Sequence, residues 1–425
     1  MEESQTRKTD YKWVIIALCF TMVFTCLGFC SSNKSLYTFA ITEALDIPRS
    51  AFSLNDSCRF ITTAIVNMFF GSLVSKFGTK KLICAGFVSL ILSCLAYSIA
   101  TNVFTIYLGG CLLGIGLAWT TTTMVGCVVN KWCKENKGTI MGFVLCSNGL
   151  GGALAAQIVS PIIYEEGNIF GYRNAYRLVA TILLVVLVLV VVFFREKPKN
   201  YEHAQNVVTK KKTRGQSWIG MEYSEALKTK YFYVASVCIF FTGFVLQGVN
   251  GVAAVHMKDI GLDATYVATV LSAHSIALAG FKFLTGFLYD RFGLRITMNL
   301  CSFAAVIAML SLSFVADSYT GMVLAMDYGV ISALALPLET IMLPIYAGDL
   351  FGEKSFDKIM GKFVSFNVLG YALGAPVMGW CFDVAGTYKP GLIISAVIMV
   401  IIMVVMQFVL KCAHCCRNEI LEAQK

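Results

Sequence analysis

The sequence predicts an all-α membrane protein with twelve transmembrane helices in two pseudo-symmetric six-helix bundles. Hydrophobic residues make up 57% of the 425 residues and charged residues only 14%, whereas soluble proteins carry about 25% charged residues. The apolar residues form about twelve runs that approach the length of about 20 residues needed to span a bilayer. The two halves of the chain also repeat each other, as shown below.

The predicted spans follow one another along the chain with short polar segments between them. The polar start of the chain runs into the first span without a small-residue cleavage site, so we expect an uncleaved span that acts as its own insertion signal. The predicted spans are 13–38, 52–74, 82–100, 104–130, 139–163, 174–194, 230–254, 265–287, 296–316, 320–345, 361–382 and 390–410.

The distribution of basic residues predicts the orientation. The net charge is +9, which by itself would allow a nucleic-acid partner. Most of the Lys and Arg residues, however, fall in alternate loops and at the two ends of the chain, as the positive-inside rule describes for cytoplasmic segments. We therefore expect both termini in the cytoplasm, the lipid bilayer as the surroundings, and no nucleic-acid partner. Short loops and the lack of long tails fit a multi-pass protein of a bacterial cytoplasmic membrane.

One long hydrophilic segment divides the chain. It contains Lys210, Lys211 and Lys212 and lies between the sixth and seventh spans. The predicted organisation is a bundle over 1–195, a cytoplasmic linker over 196–228, a second bundle over 229–411 and a cytoplasmic tail over 412–425. The 16 cysteines are scattered through the spans, so we expect no disulfide framework.

Two matches between the halves indicate a duplication. The segment that begins at Gly71, GSLVSKFGTKK, matches the segment that begins at Gly286, GFLYDRFGLRI. The segments 140–154 and 359–373 share more than half of their residues, with Asn148 facing Asn367 in the alignment. A six-plus-six repeat is typical of transporters whose substrate site lies near the membrane midplane.

The stretch GFLYDRFGLR resembles the loop between the second and third helices of each half in the major facilitator superfamily. Its glycines allow close packing and a turn, and Asp290 can cap a helix or pair with a basic residue. Ser75 replaces that aspartate in the first half. A gate held closed by an ion pair is therefore not supported in that half. The resemblance implies a gating role for Gly71, Gly78, Gly286, Asp290, Arg291, Gly293 and Arg295.

Within the superfamily, the chain resembles the branch of monocarboxylate transporters and oxalate/formate antiporters. The resemblance rests on the stretch 33–39, NKSLYTF, on the fourth-to-fifth-helix residues 130–152, and on a basic residue four positions before Gly286. That residue is Lys282 here, where the branch has arginine. The resemblance implies alternating-access transport of small organic anions.

Three departures from that branch limit what the resemblance implies. Leu278 stands where monocarboxylate transporters carry an aspartate linked to proton movement. Asn367 stands where an oxalate exchanger has a second lysine, and Gly110 where many proton-coupled members carry arginine. Proton coupling by the usual groups is therefore not predicted, and a monoanion is favoured over a dianion.

Polar residues inside the spans are the candidates for substrate binding, because ionisable groups at membrane depth usually face a cavity or a partner. Lys34 and Lys282 would offer positive charge to an anion; snorkelling lysines are the alternative reading. Asp56 and Arg59 are spaced to pair with each other. The predicted substrate-binding residues are Lys34, Lys282, Asn148, Asn367, Tyr37, Tyr371, Asn250, Gln247, His274 and Thr121.

Three acidic or basic groups could move a proton. Asp327, Glu339 and His274 lie in predicted spans, and Glu339 is flanked by Pro337 and Pro344, which predicts a broken helix lining a cavity. The sequence leaves open whether either acid carries a proton or pairs with a lysine. For His274, polar packing is the alternative to titration.

The sequence predicts a secondary active or facilitative carrier of small organic anions, most of all monocarboxylates. It would work as a uniporter, as a symporter with a proton or as an exchanger with a counter-anion. Alternatives are an exporter of a larger amphipathic compound and a membrane sensor that binds a metabolite without moving it. There is no phosphate-binding glycine loop and no His-Glu-x-x-His or paired Cys-x-x-Cys pattern. We therefore expect no enzymatic activity, no cofactor and no metal.

Overall fold

The structure is a computed structural model that describes residues 2–32, 34–47, 49–133, 135–165, 168–196 and 220–423. All regular elements in these residues are helices. The chain divides into two compact units, Met1–Gln216 and Ser217–Lys425, which we call the N-terminal unit and the C-terminal unit. The division falls inside the predicted linker, most of which lies outside the described residues.

The N-terminal unit contains nine helices within its described residues. They are α1 (Glu2–Cys26), α2 (Lys34–Ala44), α3 (Arg49–Met68), α4 (Phe70–Phe77), α5 (Thr79–Ser98), α6 (Val103–Thr120), α7 (Thr122–Trp132), α8 (Lys137–Ile163) and α9 (Gly171–Phe193).

The described part of the C-terminal unit also contains nine helices. They are α10 (Tyr223–Ala226), α11 (Lys230–Asp259), α12 (Ala264–Phe292), α13 (Leu294–Ser313), α14 (Tyr319–Ala335), α15 (Pro337–Thr340), α16 (Met342–Phe351), α17 (Phe356–Ala385) and α18 (Lys389–Ala423). The last helix continues through most of the predicted tail.

Helix length and composition account for the twelve predicted spans. Ten helices in the described residues are long and apolar enough to cross a membrane. The pair Leu54–Met68 and Phe70–Phe77 forms an eleventh, bent by 59°. The remaining predicted span contains the shorter apolar helix Tyr11–Cys26. The prediction of an all-α multi-pass membrane protein is thus confirmed.

The first predicted span, 13–38, is wrong as a continuous helix. Helix α1 ends at Cys26 and α2 begins at Lys34. In the turn between them, the Ser32 hydroxyl lies 3.1 Å from the Leu27 carbonyl oxygen and 2.9 Å from Asn148 Oδ1. A side chain that donates a hydrogen bond to a backbone carbonyl competes with the backbone hydrogen bonds that would continue the helix. Apolar composition alone does not reveal this competition.

The tenth span is interrupted where the prolines predict. Its helices α14, α15 and α16 are separated at Leu336 and Ile341. Pro337 and Pro344 have no backbone N–H and therefore cannot donate to the preceding turn. Glu339 lies in the short segment α15 between the two interruptions and is 3% exposed. The prediction of a broken helix around this acid is confirmed.

The repeat has a packing reason that both units share. A Cβ atom on Gly151 of α8 would collide with the carbonyl oxygen of Phe24 on α1, and one on Gly370 of α17 would collide with that of Phe240 on α11. The first and fifth spans of each unit can approach this closely only with glycine at these positions. The identity of Gly151 and Gly370 in the aligned segments therefore maintains the same helix contact twice.

Residues before α11 belong to the body of the C-terminal unit. The Met221 amide donates to the Phe351 carbonyl at 3.2 Å. Lys354 Nζ lies 2.8 Å from Glu222 Oε1, and this ion pair lowers the pKa of the Glu222 carboxyl. The end of the segment that was predicted as linker is thus attached to the loop between α16 and α17.

Candidate functional site

A buried polar cluster in the C-terminal unit brings four helices together. Glu339 on α15 accepts a hydrogen bond from Gln247 Nε2 on α11, with 2.9 Å between Nε2 and Oε2. Lys282 on α12 lies within electrostatic range of this carboxyl group, and Tyr371 on α17 lies against it. Lys282 is 5% exposed. We call these four residues the Lys282–Glu339 cluster.

The interruptions of the tenth span place Glu339 in this cluster. The Glu339 amide donates to the carbonyl oxygen of Leu336, three residues earlier, at 3.1 Å. This spacing is that of a 3₁₀ turn, which is tighter than an α-helical turn. The other carboxylate oxygen, Oε1, is buried and accepts no hydrogen bond in the part of the chain that the structure describes. A buried carboxyl group with one oxygen unbonded is costly in a membrane protein and is commonly functional.

The cluster bears on a question that the sequence leaves open, which is whether an acid of the tenth span pairs with a lysine. The Glu339 carboxyl group lies within electrostatic range of Lys282, which belongs to another span. A substrate anion at Lys282 would therefore meet a second acidic group, whose charge depends on its protonation.

His274 lies two turns from Lys282 on α12. Its Nδ1 is 3.0 Å from the Gly329 carbonyl oxygen and 2.9 Å from Ser332 Oγ, both on α14. These contacts match the polar packing that was the alternative to titration. Lys282 is within electrostatic range of His274 as well.

Asn367 and Asn250 lie on helices of the same unit but outside the cluster contacts. The Asn367 side chain is 1% exposed and donates from Nδ2 to the Ile239 carbonyl at 3.2 Å. This bond joins α17 to α11, so the amide nitrogen is engaged in helix packing. Asn250 is half-buried on α11, three residues after Gln247.

Asp327 has a partner within the C-terminal unit. Ser311 Oγ on α13 donates to Asp327 Oδ2 at 2.9 Å. The two acids of the tenth span therefore differ in surroundings: Asp327 bonds a hydroxyl and is half-buried, whereas Glu339 is buried next to a lysine. The geometry favours Glu339 over Asp327 as an acid that acts together with Lys282.

The predicted binding residues of the N-terminal unit have varied surroundings. Helix α2 begins at Lys34, but the side chain of this lysine lies outside the described residues. Tyr37 stacks on Tyr176 with 4.2 Å between ring centroids. Asn148 accepts from Ser32 as described above. Thr121 Oγ1 donates to the Leu117 carbonyl of its own span at 2.6 Å, which is ordinary hydrogen bonding within a helix.

Arg59 is the buried cation of the N-terminal unit whose side chain the structure describes in detail. Its Nη2 is 3.6 Å from Asp56 Oδ1, so the pairing predicted from their spacing is confirmed. Its Nη1 also donates to Ser31 Oγ at 2.9 Å. Ser31 lies in the unpredicted turn after α1, so this contact could not be predicted from the sequence.

The two glycines of the repeated loops adopt the conformation that their turn requires. Gly78 has φ +82° and Gly293 has φ +84°, a region in which side chains other than glycine are strained. Each glycine ends one helix and precedes the next. Gly71 and Gly286 are buried one to two turns earlier. The predicted turn is confirmed; the gating role of these residues stays a prediction.

The charged residues of the two loops are used differently. Arg295 Nε donates to Gln407 Oε1 at 2.6 Å, and the Arg291 guanidinium lies 5.7 Å from the Phe292 ring; Asp290 is half-buried. In the first half, where Ser75 replaces the aspartate, Glu196 Oε1 accepts from the Lys80 amide at 3.3 Å. The Glu196 carboxylate, which follows the sixth span, thus accepts a hydrogen bond at the start of α5.

The sequence profile of the Major Facilitator Superfamily matches residues 14–325 and 235–414. The chain belongs to the major facilitator superfamily. It is therefore a membrane transporter and not an enzyme. The solved structure of the superfamily transporter FucP in the outward conformation is similar over 94% of this chain and 99% of its own, with a TM-score of 0.74 and 15% identity. This likeness supports the superfamily fold.

Several curated relatives of this superfamily transporter are similar in sequence. The uncharacterized MFS-type transporter YcxA of Bacillus subtilis is 28% identical over 295 residues, which cover 68% of this chain and 67% of the relative. Monocarboxylate transporter 13 of Bos taurus is 26% identical over 331 residues, 76% and 72% of the two chains. Multidrug resistance protein 2 of Bacillus subtilis is 22% identical over 333 residues, which cover 76% of this chain and 78% of the relative.

Proposed function

We propose that this transporter carries small organic anions, monocarboxylates first among them, by alternating access. The observation that carries the proposal is the burial of Lys282 within electrostatic range of the Glu339 carboxyl group. An ammonium group at membrane depth is retained at a cost of about 2.5–3.5 kcal/mol or more. If Lys282 and Glu339 served stability alone, apolar residues could replace them at little loss of stability. Their presence at membrane depth therefore supports a role in transport.

The cluster offers a reason for preferring monoanions. When Glu339 is ionised, it neutralises Lys282 locally, and a substrate carboxylate has to compete for the ammonium group. When Glu339 is protonated, one positive charge is available for one carboxylate. A dianion would leave one negative charge unmatched in a low-dielectric site. The similarity to a monocarboxylate transporter supports the same substrate class.

The proposal is tested by counterflow in liposomes. Purified protein is reconstituted in vesicles preloaded with lactate, pyruvate, formate or oxalate, and uptake of the labelled anion is followed for wild type, Lys34→Ala and Lys282→Ala. We expect saturable monocarboxylate exchange by wild type and a loss of at least about tenfold in Lys282→Ala, because a charged contact to a carboxylate is removed. Lys258→Ala, an exposed lysine near the end of α11, is the matched control.

Different outcomes separate the site from the function. If exchange persists in both Lys34→Ala and Lys282→Ala, the proposed anion transport holds, but these lysines do not bind the substrate. A folded wild-type protein that exchanges no carboxylate contradicts the proposed function. Saturable binding without counterflow would instead indicate a sensor.

The alternative substrate class is a larger amphipathic compound. The similarity to a multidrug resistance protein favours it, and the chain has 17 methionines and 31 phenylalanines that could form an adaptable pocket. The two classes differ in their need for a charge. Transport that is unaffected when the substrate carboxylate is masked as a methyl ester would favour the amphipathic compound.

A further inference from the structure

The N-terminal unit holds a second, mostly buried cation with incompletely used donors. The Arg59 side chain is 12% exposed. Of its nitrogens, Nη1 donates to the neutral Ser31 hydroxyl, and Nη2 lies 3.6 Å from Asp56 Oδ1. Charge-assisted N–H···O bonds are normally 2.7–2.9 Å long, so this ion pair is loose. Its Nε is buried and has no hydrogen-bond partner in the part of the chain that the structure describes.

The unused donors of Arg59 lie on one edge of its guanidinium group. Nε–H and one N–H of Nη2 point in the same direction in the plane of the group, which is the fork that binds both oxygens of a carboxylate. Asp56 approaches only Nη2, with one oxygen at 3.6 Å, and Nε has no hydrogen-bond partner among the described residues. The Phe60 ring lies 4.4 Å from Arg59 Cζ and covers a face of the group, so a ligand would have to approach the edge.

Small residues on α6 hold Arg59 in position. A Cβ atom on Gly114 would lie 2.5 Å from the Arg59 carbonyl oxygen, and one on Gly110 would collide with Asn55 Oδ1. Helix α3 therefore lies directly against α6 at these two glycines. An arginine at position 110 has no room there, whereas the neighbouring helix α3 presents its own arginine one turn after Asn55.

A tyrosine stack connects with this helix face and contributes a further unused donor. Tyr97 exchanges hydrogen bonds with Asn55 at 2.9 and 3.1 Å and stacks on Tyr176, which stacks on Tyr37 with centroid distances of 5.0 and 4.2 Å. Tyr97 is within electrostatic range of Arg59. Tyr37 is 3% exposed, and its buried hydroxyl has no hydrogen-bond partner among the described residues.

We propose that Arg59 is a carboxylate-binding residue of the N-terminal unit, with the Tyr37 hydroxyl as a second donor of the same polar layer. The substrate carboxylate takes the Nε/Nη2 edge and displaces Asp56 from Nη2. Asp56 thus keeps the guanidinium charge balanced while the subsite is empty. This assignment rests on the proposed function for its ligand class. The Asp56 side chain is 26% exposed, so the acid that the ligand displaces has room to move away from the guanidinium group.

The test compares three variants that remove or alter a donor with one that removes the competing acid. Counterflow of labelled lactate is measured with Arg59→Gln, Arg59→Lys, Tyr37→Phe and Asp56→Asn in liposomes. We expect the half-saturation concentration to rise at least about tenfold in Arg59→Gln and less in Arg59→Lys. It should rise a few-fold in Tyr37→Phe. In Asp56→Asn it should stay unchanged or fall, because the competitor for the guanidinium edge is removed.

A structural role for the Arg59–Asp56 pair predicts a different pattern. Both Arg59→Gln and Asp56→Asn would then lower the thermal stability of the protein and leave the half-saturation concentration of the folded fraction unchanged. That result overturns the assignment. Arg177→Gln, a basic residue near the start of α9 that contacts Asn174 at 3.4 Å, is the control for loss of an arginine outside the subsite.

A binding measurement separates this assignment from the proposed function. Lactate should raise the Tm of the purified wild-type protein in proportion to ligand binding, and Arg59→Gln should abolish the shift. If the wild-type protein shows no counterflow but a Tm shift that depends on Arg59, the subsite assignment holds and the proposed transport of carboxylates is contradicted. Counterflow with an unaltered half-saturation concentration in Arg59→Gln contradicts the subsite alone. Absence of both counterflow and shift contradicts both.

Discussion

At the scale of single residues, the two buried cations with described side chains differ in how their charge is balanced. Lys282 is near the carboxyl group of Glu339 on another span, whereas Arg59 has its acid three residues away on the same helix. Local pairs hold their geometry whatever the neighbouring helices do. A pair between spans depends on those spans staying in contact, so Glu339 is the acid whose interaction can change when helices move.

We expect Glu339 to couple substrate binding to a proton. A substrate carboxylate at Lys282 would place two negative charges at one ammonium group, and the repulsion is relieved if Glu339 binds a proton. Glu339→Gln should therefore retain lactate counterflow but lose accumulation driven by an inward proton gradient, and its exchange rate should depend less on pH than that of wild type.

The control for this variant is Asp327→Asn, which removes the other acid of the same span. It should behave as wild type in both assays, because Asp327 bonds Ser311 and not the cluster. Undiminished proton-driven accumulation by Glu339→Gln would contradict the coupling role. Equal loss of accumulation in both variants would indicate a general effect on the tenth span.

At the scale of helices, close approach of the first and fifth spans within each unit depends on single glycines. The helix pair α11 and α17 meets at Gly370, where no room exists for a Cβ atom. The same holds for α1 and α8 at Gly151. Lipid offers no hydrophobic force between helices, so such close packing is a main source of their association.

Gly370→Ala should destabilise the C-terminal unit, because its methyl group would overlap a backbone carbonyl that cannot move without separating the helices. Overpacking of this kind costs about 1–3 kcal/mol, and we expect a Tm several degrees lower in detergent. Gly379→Ala on the same helix is the matched control, since nothing lies within 4 Å of a Cβ atom there. Equal Tm values for the two variants would show that α11 and α17 adapt without loss.

At the scale of the whole molecule, the chain consists of two compact units whose spans carry basic residues at alternate ends. The sequence predicts both termini on the cytoplasmic side from this alternation. An epitope tag after Lys425 should react with antibody only in permeabilised cells. The same tag inserted after Gly386, in the short turn between α17 and α18, should react in intact cells. The reverse labelling pattern would contradict the predicted orientation.

Features that depend on composition and on near neighbours along the chain can be predicted from the amino-acid sequence. Apolar runs are recognised by lipid whichever helix they later contact, so the span count and membrane class follow from hydropathy. The repeated turn requires φ values that favour glycine at Gly78 and Gly293. The Asp56–Arg59 pair follows from helical spacing, and the interruption near Glu339 follows from two prolines that lack an N–H.

Which buried polar groups meet depends on the packing of helices that are distant in sequence. The contact of Glu339 with Gln247 and its proximity to Lys282 depend on how three separate helices are rotated and crossed. Hydropathy contains no information about those angles. The same reason explains the unpredicted turn after Cys26, where Ser32 bonds Asn148 on a distant helix. Inside a membrane, where apolar surfaces are interchangeable, these few polar contacts and the glycine-mediated approaches determine which helix faces are paired.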